Sequence, residues 1–242
     1  MPRNVPLNNV EHQNLRVMTG FDARFGDSVN QVPVFPTEFR ELQKEYPIVF
    51  RNNADGGLQA VALLGLDLDE NLFLADGRWN ARYVPAIQQR GPFLIGLRAT
   101  SDGAPGGDPV VHIDLDHPRV SEDEGEFVFL PHGGNSAYLD HVTGVLQAIN
   151  DGHALSEPMF AAFEKAEILE PVSLRLSLSD TEQYTIDQCM AVSEEKIAGL
   201  SAEVLKELNG SGFLTLAIHA AASLTNIPYL LELKNRKKME RS

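Results

Sequence analysis

The sequence holds one cysteine, Cys189, in 242 residues. A lone cysteine excludes an internal disulfide and agrees with a reducing compartment. Tryptophan is equally scarce, with Trp79 the single example. Positive charge is in short supply: 20 Lys+Arg stand against 34 Asp+Glu, for a net charge of -14. Lys234, Arg236, Lys237, Lys238 and Arg241 crowd into the last nine positions, so the rest is more acidic still. A field of that sign repels phosphate backbones, which disfavours nucleic acid as a partner and slows encounter with anionic membranes. The chain also lacks a G-x-x-x-x-G-K-[ST] or G-x-G-x-x-G phosphate loop and a G-x-S-x-G nucleophile elbow. Its first thirty residues contain no apolar run of secretory-signal length, so a cytoplasmic location is expected, with a non-standard export route left open.

What is present is an ordinary globular composition, 43% hydrophobic and 22% charged. The longest stretch without Asp, Glu, Lys or Arg runs from Leu208 to Leu231, close to a bilayer span. Polar residues interrupt it, and Phe213, Leu216, Ala217, Ala220, Leu224, Ile227 and Leu231 recur at steps of three and four. That stripe predicts a core helix with one buried face rather than an integral membrane span. Pro228 falls inside it, where a missing backbone donor predicts a kink.

The first half reads as strands: Tyr46 to Phe50, Leu58 to Leu66, Asn71 to Leu74 with an Ala75-Asp76-Gly77 turn, Phe93 to Leu97, Val110 to Leu115, and a weaker Phe127 to Leu130. A short helix over Thr37 to Lys44 has Thr37 as its N-cap. Turn residues from Thr100 to Gly107 mark a surface loop, and the acidic run Ser121 to Glu126 another. Asp67, Asp69 and Glu70 read as turn residues, since their spacing is not that of a calcium loop. In the second half, Asn135 caps a helix that Gly152 stops, and Ser156 opens another. Strands over Val172 to Leu178 and Tyr184 to Val192 follow, and Ser193 opens further helix. The fold class is therefore α+β, with a mixed or antiparallel sheet in the first half and a helix-rich second half ending in a long helix. One unit over residues 1–242 is expected, with a possible subdivision near residues 131–135.

Four phrases carry a resemblance. They are Glu38-Phe39 followed by Tyr46-Pro47-Ile48-Val49-Phe50; Leu64-Gly65-Leu66 with Asn71-Leu72-Phe73; Trp79, Tyr83-Val84-Pro85-Ala86, Arg90 and Pro92-Phe93; and Gly212, Leu214, His219, Ser223 and Leu224. In order and spacing they resemble the SapC-like family, named after an S-layer-associated bacterial protein. The match extends over nearly the whole chain. It departs at Gln88-Gln89-Arg90-Gly91, where more basic residues are expected, and at Val172 to Met190, which lacks a glycine-centred turn. The resemblance implies a link to the bacterial surface layer or its associated uptake and brings no settled activity. A peptide-transporter permease shares the name, but it needs several spanning helices and this chain offers at most one candidate.

Three constellations could carry chemistry. Trp79, Tyr83 and Arg90 combine aromatic rings with a guanidinium that can hold a carboxylate or stack on a planar ligand. A helix after Asn80 would put Tyr83 and Arg90 on one side. The bland alternative is packing, with Trp79 in the core and Arg90 paired to an acid such as Glu38. His112-Ile113-Asp114-Leu115-Asp116-His117 would place His112 and Asp114 on one face of a strand, two ligands of a non-haem Fe(II) site, with His132, His141, His153 or His219 as a third. The alternative is the polar outer face of a half-buried strand. His219 and Ser223, four apart on a helix, could form a nucleophile pair, or a packing histidine and a serine bonded to its own backbone. The leading expectation is a non-enzymatic accessory or ligand-binding protein with no cofactor, using Trp79, Tyr83, Arg90 and Glu38 for an unknown small molecule or protein partner. The alternative is a metal-dependent enzyme using His112 and Asp114.

Overall fold

The computed structural model describes residues 2–54, 56–97, 109–178 and 182–240. The expected loop at Thr100 to Gly107 lies outside them. In chain order the strands are β1 (Asn4–Pro6), β2 (Arg16–Val17), β3 (Gln31–Pro33), β4 (Ile48–Asn52), β5 (Leu58–Leu63), β6 (Leu74–Ala75), β7 (Arg78–Trp79), β8 (Phe93–Leu97), β9 (Pro109–Asp114), β10 (Val120–Ser121), β11 (Glu126–Phe127), β12 (Leu169–Ser177) and β13 (Gln183–Val192). The helices are α1 (Phe39–Leu42), α2 (Ala86–Gln89), α3 (Ala137–Lys165), α4 (Glu194–Ala198), α5 (Ala202–Gly210), α6 (Phe213–Ser223) and α7 (Ile227–Met239). The expected α+β class holds, with every described strand pairing antiparallel.

The chain makes two compact units, residues 1–27 with 86–150 and residues 28–85 with 151–242. Residues 131–135 fall inside the first. That unit has two small sheets, β1-β9-β8 and β10-β2-β11. Its core gathers Val17, Phe93, Ile113, Val128, Leu139 and Val142. Beside it lies a buried ion pair. Arg119 donates through Nη2 to both oxygens of Asp27 at 2.8 and 2.6 Å, and through Nη1 to the carbonyls of Met18 and Gly20. Phe25 stacks 4.5 Å from its guanidinium carbon. A buried guanidinium needs this many acceptors, because each unsatisfied donor would cost desolvation.

The second unit is built on the sheet β12-β13-β4-β5-β3. The long β12–β13 hairpin joins it through Met190 opposite Phe50. Phe160 and Phe163 of α3 meet Phe50 at ring distances of 5.3 and 6.3 Å. Two residues connect β6 to β7, and Asp76 and Gly77 both have positive φ (53° and 71°), the twist-matching hairpin turn.

Several local expectations are corrected. Asn135 does not cap α3; the Ser136 hydroxyl accepts from the Leu139 N–H at 3.1 Å. Gly152 does not stop that helix and Ser156 opens nothing, since α3 runs unbroken to Lys165. A Cβ on Gly152 would sit 2.5 Å from the Phe35 Cβ, so the glycine serves close packing. Thr37 lies within a 3-10 turn, Pro36–Glu38, whose N-cap is Phe35. Pro228 does not kink a helix from within: it occupies the first turn of α7, after a 3-10 turn at Leu224–Asn226, where its missing N–H needs no acceptor.

The helical run Phe213–Met239 is long and apolar enough, by length and composition, to cross a membrane. Small residues make its buried stripe: Ala217, Ala220, Ala221 and Ser223 are buried, while Leu216, Leu224 and Ile227 are half-buried. Its polar groups engage the second unit. Asn226 Nδ2 donates to the Gln43 carbonyl at 2.9 Å, and Lys234 Nζ donates to both Glu70 oxygens at 2.9 Å and to Asp67. Glu70 is thus a buried ion-pair partner as well as a turn residue.

Candidate functional site

Trp79, Tyr83 and Glu38 meet in the second unit. The Trp79 indole N–H donates to the Tyr46 hydroxyl at 2.8 Å, and that hydroxyl donates to the Tyr83 carbonyl at 2.5 Å. Tyr83 in turn donates its own hydroxyl to Glu38 Oε2 at 3.0 Å, while Glu38 Oε1 accepts from the Phe35 N–H. Burial, then the Glu38 charge, holds the Tyr83 phenol above its ordinary pKa, so it stays a donor. Burial raises Tyr46 as well, against the lowering effect of the Trp79 hydrogen bond. Trp79 and Glu38 are buried, at 8% and 4% exposure. The group therefore ties together the turn at Pro36–Glu38, the entry to β4 and the segment after β7.

Arg90 belongs to the first unit. It follows α2, and its Nη1 donates to the Phe93 carbonyl at 2.7 Å. Its Nε is buried with no hydrogen-bond partner, and burial lowers its pKa. The helix expected after Asn80 to join Tyr83 to Arg90 does not form there. Helix begins only at Ala86, because Pro85 biases Val84 away from helical backbone.

His112 and Asp114 lie on β9 in the first unit. Asp114 Oδ1 accepts from the Arg3 N–H at 2.9 Å and the Asp116 N–H at 3.1 Å. The His112 ring lies against Gly96 of β8, where a Cβ would come within 2.6 Å of Nε2. Among the described residues, no three His, Cys, Asp or Glu side chains converge to hold a metal ion. Ser223 is fully buried, donating to the Ala220 carbonyl at 2.6 Å and accepting from the Ile48 N–H at 2.9 Å. Its hydroxyl is spent on structure rather than aimed at His219, whose pKa is lowered by burial and then by Arg40. Burial likewise raises the pKa of Cys189, whose thiol is buried.

An open concave feature lies elsewhere in the second unit. A groove of about 560 Å³ lies between the second half of α3 and the edge of β5. Its floor is apolar, with Val34, Phe35, Leu58 and Phe160. Its helical wall presents His153, Ala154, Glu157, Ala161 and Glu164, all exposed. A neighbouring cavity of about 630 Å³ shares Gly57, Leu58 and Glu164 and adds Glu167. The wall exists because α3 continues past Gly152. The missing Cβ there admits Phe35, which lines the groove floor. Local sequence signals hid this wall, since Gly152 read as a stop, although Glu157, Ala161 and Glu164 already fall at helical steps of four and three.

The SapC family model matches residues 7–230. The chain belongs to the SapC family. No curated protein and no solved structure matches it. In this SapC chain the matched span contains the groove, the Trp79–Tyr46–Tyr83–Glu38 group and the His112–Asp114 pair alike, so membership alone does not choose among them.

Proposed function

We propose that this SapC-family protein is a non-enzymatic accessory protein that binds an extended ligand in the groove between α3 and β5. The observation that carries the reading is the groove itself: a concave site of ordinary ligand-pocket size, apolar in its floor and polar at its rim. Of the groups weighed for catalysis elsewhere, Ser223 spends its hydroxyl on the Ile48 N–H and the Ala220 carbonyl, and Asp114 Oδ1 accepts from the Arg3 and Asp116 N–H groups. The surface-layer link carried by the family resemblance belongs to this reading, with a surface protein as the source of the ligand.

The test is a ligand screen by amide chemical-shift mapping on wild type and Ala161→Trp. Ala161 is exposed, so the indole fills the groove without entering the core. Ligands that shift groove amides and lose at least about tenfold affinity in the variant support the reading. Ligands that ignore Ala161→Trp but are lost in Arg90→Ala move the site to Arg90 and refute it.

A further inference from the structure

Resting on that reading, we infer that the groove's occupant is an extended basic peptide segment of another protein, added as a short strand along Leu58. The main-chain part of the argument comes from strand parity. The Leu63 N–H donates to the Pro47 carbonyl and the Asn53 N–H to the Gly57 carbonyl, so odd-numbered residues of β5 face β4. Even-numbered residues face the other way, as the Val34 N–H on the Ala60 carbonyl shows. Pairing with β3 ends at Pro33 opposite Val61. One hydrogen-bonding step beyond Ala60, Leu58 turns its N–H and C=O to that same side, past the end of β3, at a residue that lines the groove. An edge of this kind accepts a strand from a ligand.

The charge comes from the facing helix. Glu157 and Glu164 stand seven residues apart on α3, about 10.5 Å along its axis. An extended peptide advances about 6.6–6.8 Å per two residues, so cations two to four positions apart reach both carboxylates. Ala154 and Ala161 leave room for the peptide backbone, and Phe35 and Phe160 floor the space for a side chain pointing inward. Glu157, Glu164 and Glu167 have no ion-pair partner among the described residues. The nearby lysines are engaged elsewhere: Lys165 with Glu207, and Lys196 with the Leu169 carbonyl. The chain's own basic segment is no candidate, because it is wound into α7 with Lys234 locked onto Glu70.

The probe is a fluorescein-labelled, end-capped octapeptide of alternating lysine and valine, followed by fluorescence anisotropy with the full chain. Wild type binds it, less tightly as salt screens the carboxylates. The double variant Glu157→Gln/Glu164→Gln, both exposed and safe for folding, binds about tenfold or more weakly. A peptide N-methylated at alternate positions loses about tenfold on wild type, which a purely electrostatic contact would not show. Undiminished binding by either route, or displacement of the peptide by spermidine at equal concentration, overturns the inference. No binding by the lysine peptide, while other ligands occupy the groove and are lost in Ala161→Trp, removes this inference and leaves the binding function standing. An empty groove in both experiments removes both.

Discussion

Two glycines of α3 respond to alanine in opposite directions. In a helix interior, glycine costs roughly 0.5–1 kcal/mol relative to alanine, because the unfolded chain loses more freedom when it folds. Gly144 is exposed, and a Cβ added there meets nothing within 4 Å. Gly144→Ala therefore raises stability by about 0.5–1 kcal/mol. At Gly152 the same helix gain meets a steric cost. The added carbon would lie 2.5 Å from the Phe35 Cβ and 2.6 Å from the Thr37 Oγ1, well inside the 3.4 Å at which ordinary contact begins. The Thr37 hydroxyl can rotate away, but the Phe35 Cβ is fixed to its own backbone, so the chain at Phe35 itself must move. Overpacking of this kind costs about 1–3 kcal/mol. The helix gain offsets only part of it, leaving Gly152→Ala less stable by roughly 1–2 kcal/mol. Urea unfolding followed by far-ultraviolet circular dichroism and by Trp79 fluorescence measures both. With a denaturant dependence of roughly 1–3 kcal/mol per molar, the two midpoints fall on opposite sides of wild type, about 1 M from one another. A Gly152→Ala midpoint that rises alongside Gly144→Ala would refute the claim that this glycine holds a close packing contact.

Arg119→Met leaves Asp27 buried and uncompensated and costs about 3–5 kcal/mol, while Arg119→Met/Asp27→Leu recovers most of the loss; thermal unfolding of the three proteins decides this. Burial opposes the charge on Lys234, but the hydrogen bonds it donates to Asp67 and Glu70 outweigh that and hold the pKa above its ordinary value. Its contribution to stability is then complete below a pH of about 10.4, the unfolded lysine value, and fades as pH rises through the higher folded value. The stability gap between wild type and Lys234→Met, measured by urea unfolding, accordingly narrows only in strong alkali. Burial, and then Arg119, lower the pKa of His117, whose Nδ1 accepts from the Arg119 N–H. Its neutral form stabilises the fold above a pH of about 6.5, and that stability is lost as pH falls below it, because the unfolded chain takes up the proton first. His117→Asn keeps an acceptor without the titration, so its stability–pH curve is flatter on the acid side.

Elements set by neighbouring residues were legible in the sequence. Phe93 to Leu97 is a strand with the expected bounds, and Asp76-Gly77 makes the expected turn, because apolar runs and turn chemistry act over a few positions. The clustering of Trp79, Tyr83 and Glu38 was legible as a group of interest. Attaching Arg90 to it depended on a helix that Pro85 delays. The ends of α3 were misread for a related reason. Gly152 reads as a stop, and Ser156 with Glu157 and Pro158 after it reads as a new start, yet all of them lie inside the helix. Gly152 is held by packing against Phe35 and Thr37. Pro158 gives up only the bond to the Ala154 carbonyl, at an exposed residue.

The sequence by itself determined the α+β class, the net charge of -14 and membership in the SapC family, all of which rest on composition and on the order of short phrases. The tertiary structure decided the division into two discontinuous units, the pairing of β13 with β4, the burial of Glu70 with Lys234, and the groove. Each of these joins residues more than ninety positions apart. Such contacts arise because an apolar face, an unpaired strand edge or a buried charge must find some complement. No local pattern states which distant segment supplies it.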